Sequence, residues 1–142
     1  MDNVSEERIL AIDFGLKRVG LALSDPLKIF SYPFITVNYN KDFIHNLLNI
    51  VKENKVIKII LGYPVTSRGD KTPLSDEITR LKEEIENKIK IEVIMWDERF
   101  TSEMAKQRVL ESVTKKSKRR DKGLLDQNAA AIMLQEYLNK AR

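Results

Sequence analysis

Three acidic positions interrupt apolar segments, each where an element begins or ends. Asp13 follows the continuous apolar run Ile9–Ile12, and Asp97-Glu98 ends the run Ile91–Trp96. Asp126 opens a helical stripe that continues through Ala129, Ala130, Met133 and Tyr137. Each has an ordinary reading of its own. Asp13 would cap a turn at Gly15, Asp97-Glu98 would face the dipole of a helix opened by Thr101, and Asp126 would be an N-cap. Taken together they point to chemistry. Carboxylates from a first strand, a fifth strand and a last helix converge only on one side of a sheet, and ligands of open α/β sheets sit beyond the strands' carboxyl ends. Clustered carboxylates repel unless a cation neutralises them, and an oxygen-only donor set suits Mg²⁺ or Mn²⁺. Two such ions about 3.5–4 Å apart activate a water and stabilise the leaving oxygen in phosphodiester cleavage.

Composition removes most alternatives. The chain has no Cys, which excludes disulfides, thiol nucleophiles and Cys-bound zinc or iron. The single His, His45, falls on the polar side of a helical pattern and is expected at the surface. The formal charge of +4 is unevenly spread. Between Lys106 and Lys122 stand eight basic residues and two acids, so the rest of the chain is slightly acidic. Such a run is either a solvated loop or the footprint of a phosphate-backbone binder, with Lys115, Lys116, Lys118, Arg119 and Arg120 at its centre. No aromatic residue interleaves it. Tyr63, in a glycine-bounded segment, is the better candidate for stacking on a base, whereas Met95 and Trp96 read as core.

The elements that must position these groups follow from hydrophobic period. Ile9–Ile12 reads as a strand buried on both faces, Val19–Leu23 as its hairpin partner, and Ile29–Val37 as an edge strand broken by Pro33. Phe43, Ile44, Leu47, Leu48 and Val51 have helical spacing, over about Lys41 to Asn54. Val56–Leu61 is a fourth strand, with a loop from Gly62 to Thr72. Pro73 opens a helix with Leu74, Ile78, Leu81 and Ile85 inward. Ile91–Trp96 is a fifth strand, Ser102–Ser112 a helix, and Leu124–Asn139 a last helix. The order βββαβαβαα predicts an α/β fold: a mixed five-stranded sheet, three strands antiparallel and two parallel, with helices on both faces. At 142 residues the chain is expected to form a single domain, with residues 1–7 a flexible lead. Those first residues are acidic and unlike a signal peptide, and no apolar run approaches the roughly 18 residues of a membrane span. A cytoplasmic location is expected.

Four ordered segments carry a family resemblance. Ile12-Asp13-Phe14-Gly15-Leu16-Lys17-Arg18-Val19-Gly20-Leu21-Ala22-Leu23-Ser24-Asp25 resembles the opening signature of the YqgF/RuvX family. The likeness continues at Gly62-Tyr63-Pro64 with Gly69, at Trp96-Asp97-Glu98-Arg99-Phe100-Thr101-Ser102, and at Lys122-Gly123-Leu124-Leu125-Asp126-Gln127-Asn128-Ala129-Ala130-Ala131. It implies an RNase H-like fold and a metal-dependent endonuclease of structured nucleic acid. It also implies metal ligands at Asp13, Glu98 and Asp126, with Asp97 a substitute for its neighbour, and Mg²⁺ or Mn²⁺ as cofactor. Lys17, Arg18 and Arg99, within the same motifs, are expected to contact nucleic acid. Family members are described as nucleases of pre-16S rRNA and, earlier, as Holliday junction resolvases. Processing of the 5′ end of pre-16S rRNA is the leading expectation. Branched-DNA cleavage and a non-catalytic RNA-binding role in ribosome assembly are the alternatives. Two positions depart from the family pattern: Tyr63 stands where Leu is usual and Thr66 where Asn is frequent.

Overall fold

A computed structural model describes residues 6–63, 68, 70, 72–98 and 122–141, the side chains of 122–126 aside. Strands β1 (Arg8–Phe14), β2 (Arg18–Ser24) and β3 (Ser31–Asn38) form an antiparallel meander. Helix α1 (Phe43–Glu53) leads to β4 (Val56–Tyr63), and α2 (Ser75–Lys88) to β5 (Glu92–Asp97). Helix α3 (Lys122–Ala141) is last. The sheet has the order β3-β2-β1-β4-β5, with β4 parallel to both β1 and β5.

Alternation along β1 explains its uninterrupted apolar sequence. Leu10, Ile12 and Phe14 enter a core with Phe43 and Leu47 of α1 and Ile78, Leu81 and Ile85 of α2. Ile9 and Ala11 face the other way, into a second core with Ala130, Met133, Leu134 and Leu138 of α3. A strand sandwiched between two helical layers has no polar side to show. Pro33, which has no N–H for a ladder, lies on the edge strand beside the register shift at Leu21/Ala22, as the sequence predicts.

Element boundaries shift by one or two residues from the sequence reading; α2 starts at Ser75, two residues after Pro73, and two further shifts bear on the site. Gly62 and Tyr63 belong to β4 and not to the loop, because they pair with Trp96 and Asp97 of β5 and so extend the ladder. Lys122 and Gly123 belong to α3 and not to the basic loop. A glycine's helix penalty of about 1 kcal/mol is small enough for context to override. The expected helix Ser102–Ser112 and the basic run through Arg120 lie outside the described residues. Among the described residues, no helix is long and apolar enough to cross a membrane.

The placement of α3 is set by specific bonds at the start of β3. Ser31 Oγ donates to the Ala131 carbonyl at 2.6 Å, and the Ser31 amide donates to Gln135 Oε1 at 2.9 Å. Gln135 Nε2 donates in turn to the Ile29 carbonyl at 2.9 Å. Ser31 pairs with Ser24, at the amino end of β1, so the later half of α3 lies there. Its first turns therefore run toward the carboxyl ends of β1 and β4.

Candidate active site

Asp13 is a ladder residue, paired with Gly20 of β2 and half-buried, so it is not part of the following turn. Its strand parity is that of Ile9 and Ala11, which puts it on the α3 face of the sheet. The turn itself is tight: a Cβ on Gly15 would stand 2.6 Å from the Arg18 carbonyl oxygen. Only glycine leaves that space free.

Glu98 comes to the same face from two strands away. It directly follows β5 and is half-buried. Gly62 of β4 lies between: a Cβ there would meet Glu98 Oε2 at 3.3 Å, the Ile12 carbonyl oxygen at 3.4 Å and Met133 Sδ at 2.8 Å. The Glu98 carboxylate therefore leans over the bare backbone of β4, beside the peptide that joins Ile12 to Asp13. Asp97 pairs with Tyr63 and has the parity of Val93 and Met95, whose side chains join the α1–α2 core. Of the two adjacent acids, Glu98 shares the face of Asp13.

Asp126 lies in α3 seven residues before Met133, about 10.5 Å along the helix axis. Its side chain is outside the described residues. Among the described residues no group of three acids, His or Cys forms a metal-holding cluster. What the described residues supply is a carboxylate pair, Asp13 and Glu98, on one face, with a glycine between them that keeps the floor clear. Oxygen donors of this kind fit a hard divalent cation.

The other expected residues separate. Lys17 is exposed at the hairpin, and Arg18 starts β2 with the parity of Gly20, hence on the face of Asp13. Tyr63 is half-buried against the α1–α2 core, on the opposite face from Gly62. Arg99, Lys115, Lys116, Lys118, Arg119 and Arg120 lie outside the described residues. His45 is exposed on α1, and Trp96 is buried, edge-to-face with Tyr137 at 5.8 Å between ring centroids. Sequence reasoning missed Gly62 and Met133 as parts of the site's floor. The available signal was a glycine ending an apolar strand next to a motif acid.

A second polar device holds the far end of the meander. Asp25 Oδ1 accepts the amide hydrogens of Ile29 at 2.8 Å and Phe30 at 2.9 Å. Desolvation is the largest single influence on its carboxyl and raises its pKa. The amide donors, led by those of Phe30 and Ile29, together outweigh it and leave the pKa below the ordinary aspartate value.

A meander extended by two parallel strands and helix-covered on both faces is the RNase H-like architecture. The fold is that of Thermus thermophilus RuvC, with a TM-score of 0.61 at 11% identity over 94% of this chain and 96% of that one. The T. thermophilus RuvC complex with a Holliday junction substrate (0.59, 14%, covering 95% and 96%) is similar. So is fowlpox virus resolvase with its substrate Holliday junction DNA (0.57, 14%, covering 94% and 98%). The chain belongs to the RuvX family, described as Holliday junction resolvase, whose model matches residues 7–140. It is 38% identical to a "Putative pre-16S rRNA nuclease" of Dictyoglomus turgidum, over 93% of this chain and 94% of the relative. It is 41% identical to one of Azobacteroides pseudotrichonymphae, over 95% and 98%.

Proposed function

We propose that this protein, acting in the cytoplasm as one domain, is a metal-dependent endonuclease that matures the 5′ end of pre-16S rRNA. The observation that carries the reading is the Glu98 carboxylate, held over Gly62 toward the strand that bears Asp13. Asp13, Glu98 and Asp126 would hold Mg²⁺ or Mn²⁺, while Asp97, whose strand parity is that of the opposite face, is not assigned a ligand role. When bound, such ions supply an activated water at neutral pH and neutralise charge on the scissile phosphate. Arg18, on the face of Asp13, and Lys17 beside it would orient the phosphate backbone. Arg99, Lys115, Lys116, Lys118, Arg119 and Arg120 would extend that grip; Tyr63, packed on the α1–α2 core, is assigned no base contact.

The test is cleavage of a labelled pre-16S 5′ fragment and a four-way DNA junction side by side, with Mg²⁺, Mn²⁺ or EDTA. Metal-dependent cuts in the RNA at the mature terminus support the reading. Cleavage of the junction alone supports the second reading, junction resolution, which the family description favours. Tight binding of RNA with no cleavage under any metal leaves an assembly factor and overturns catalysis.

A further inference from the structure

The hairpin next to the site exposes an apolar side chain. Leu16 is 60% exposed, at the tip of the Gly15–Arg18 turn, with Lys17 exposed beside it. Isolated surface leucines are common and need no explanation. This one is distinguished by its support. The turn is closed so tightly that a Cβ on Gly15 would overlap the Arg18 carbonyl. The Tyr39 amide donates to the Lys17 carbonyl at 2.9 Å, tying the hairpin to the end of β3. At the base of the hairpin, in the α1–α2 core, Phe14, Tyr39 and Phe43 pack edge to face, with centroid separations of 4.7 and 5.4 Å. Leu16 is therefore presented on a fixed platform, and fixing a contact before binding lowers the cost of making it.

Its position relates it to the cut. Leu16 is three residues from Asp13, within about 11 Å along even a fully extended chain. It lies at the sheet end that carries Asp13 and Glu98. An exposed aliphatic side chain followed directly by two cations, Lys17 and Arg18, matches a nucleotide: apolar against the base and sugar, positive toward the adjoining phosphates. Aliphatic wedges of this kind separate stacked bases at a cost of a few kcal/mol per step.

We infer that Leu16 is a wedge that holds the nucleotide beside the scissile phosphate out of its stack, while Lys17 and Arg18 hold that nucleotide's phosphates. The substrate class is accordingly a strand that is unpaired or weakly stacked at the cut. This rests on the nuclease reading of the Asp13 end.

The experiment compares the intact protein with Leu16→Ala and Leu16→Met on two RNAs that differ only in pairing at the mapped cut, one fully paired and one mismatched there. 2-Aminopurine replaces the base beside the cut, and its fluorescence reports unstacking on binding even without turnover. Wild type should raise the fluorescence. Leu16→Ala should lose that rise and lose about tenfold or more in kcat on the paired RNA, with KM nearly unchanged. On the mismatched RNA, which needs no wedge, Leu16→Ala should recover to within about twofold of wild type. Leu16→Met, which keeps the aliphatic bulk, should behave as wild type. Equal fluorescence and equal rate ratios on both RNAs for wild type and Leu16→Ala overturn the wedge and leave the nuclease reading standing. A wild type that neither cuts these RNAs nor alters the fluorescence overturns both.

Discussion

The neighbourhood of Asp13 is built from residues whose substitution should separate stability from activity. Asp13→Asn is nearly isosteric but removes the charge that would hold a cation. Cleavage should fall by at least about a hundredfold, with the melting temperature unchanged within a degree or two, by single-turnover assay and calorimetry. Gly62→Ala meets two flexible side-chain ends, Met133 Sδ and Glu98 Oε2, which can give way. It should cost under about 1 kcal/mol in urea unfolding, yet displace the Glu98 carboxylate and lower kcat about tenfold. Gly15→Ala meets backbone at 2.6 Å, which cannot give way without reshaping the hairpin. Its loss of stability should exceed that of Gly62→Ala, and the reverse order would contradict the packing described. Asp25 provides the pH test. Its folded pKa lies below the unfolded value, so its contribution is complete above the ordinary aspartate pKa and fades as pH falls through the lower folded value. Asp25→Asn keeps an oxygen acceptor for both amides but loses the charge, so the variant's stability should fall less than wild type's between pH 6 and 3 in denaturant titrations.

At the scale of elements, the site depends on how α3 is seated. The Gln135 amide satisfies the Ser31 N–H and the Ile29 carbonyl, over a hundred residues away in sequence. Gln135→Ala leaves both backbone groups to find water and should cost about 1–2 kcal/mol in denaturant unfolding. A loss near zero would mean that the apolar contacts of Ala130, Met133, Leu134 and Leu138 seat the helix alone. The strands were legible because β1 reads as a run buried on both sides and β4 and β5 as short apolar runs. The end of β4 was not legible. Gly62 and Tyr63 have the composition of a turn, and only the ladder to Trp96 and Asp97 makes them strand.

For the molecule as a whole, charge is the long-range variable. Replacing Lys115, Lys116, Lys118, Arg119 and Arg120 by Gln removes up to five phosphate contacts. Each contributes about 0.7–0.9 to the slope of log K against log salt, so the slope should flatten by as much as about 4 in filter-binding titrations. An unchanged slope would place those charges away from bound nucleic acid.

Period and composition by themselves determined the order of the described elements, the edge position of Pro33, the mixed sheet and the exclusion of Cys chemistry. These follow from local rules: which residues alternate, which recur at helical spacing, and which cannot donate to a ladder. They also marked Asp13 and Asp97-Glu98 as acids near strand ends, but not that α3 starts four residues before Asp126, which therefore neither opens nor caps it. Which of two adjacent acids faces Asp13 was beyond them, because that is decided by the parity of β5 in its register with β4. The use of Gly62 as clear floor beneath Glu98 was beyond them too, since it arises only where β1, β4, β5 and α3 meet. Contacts among distant segments depend on how layers pack, and a chain's local pattern does not encode the height at which one layer sits on another.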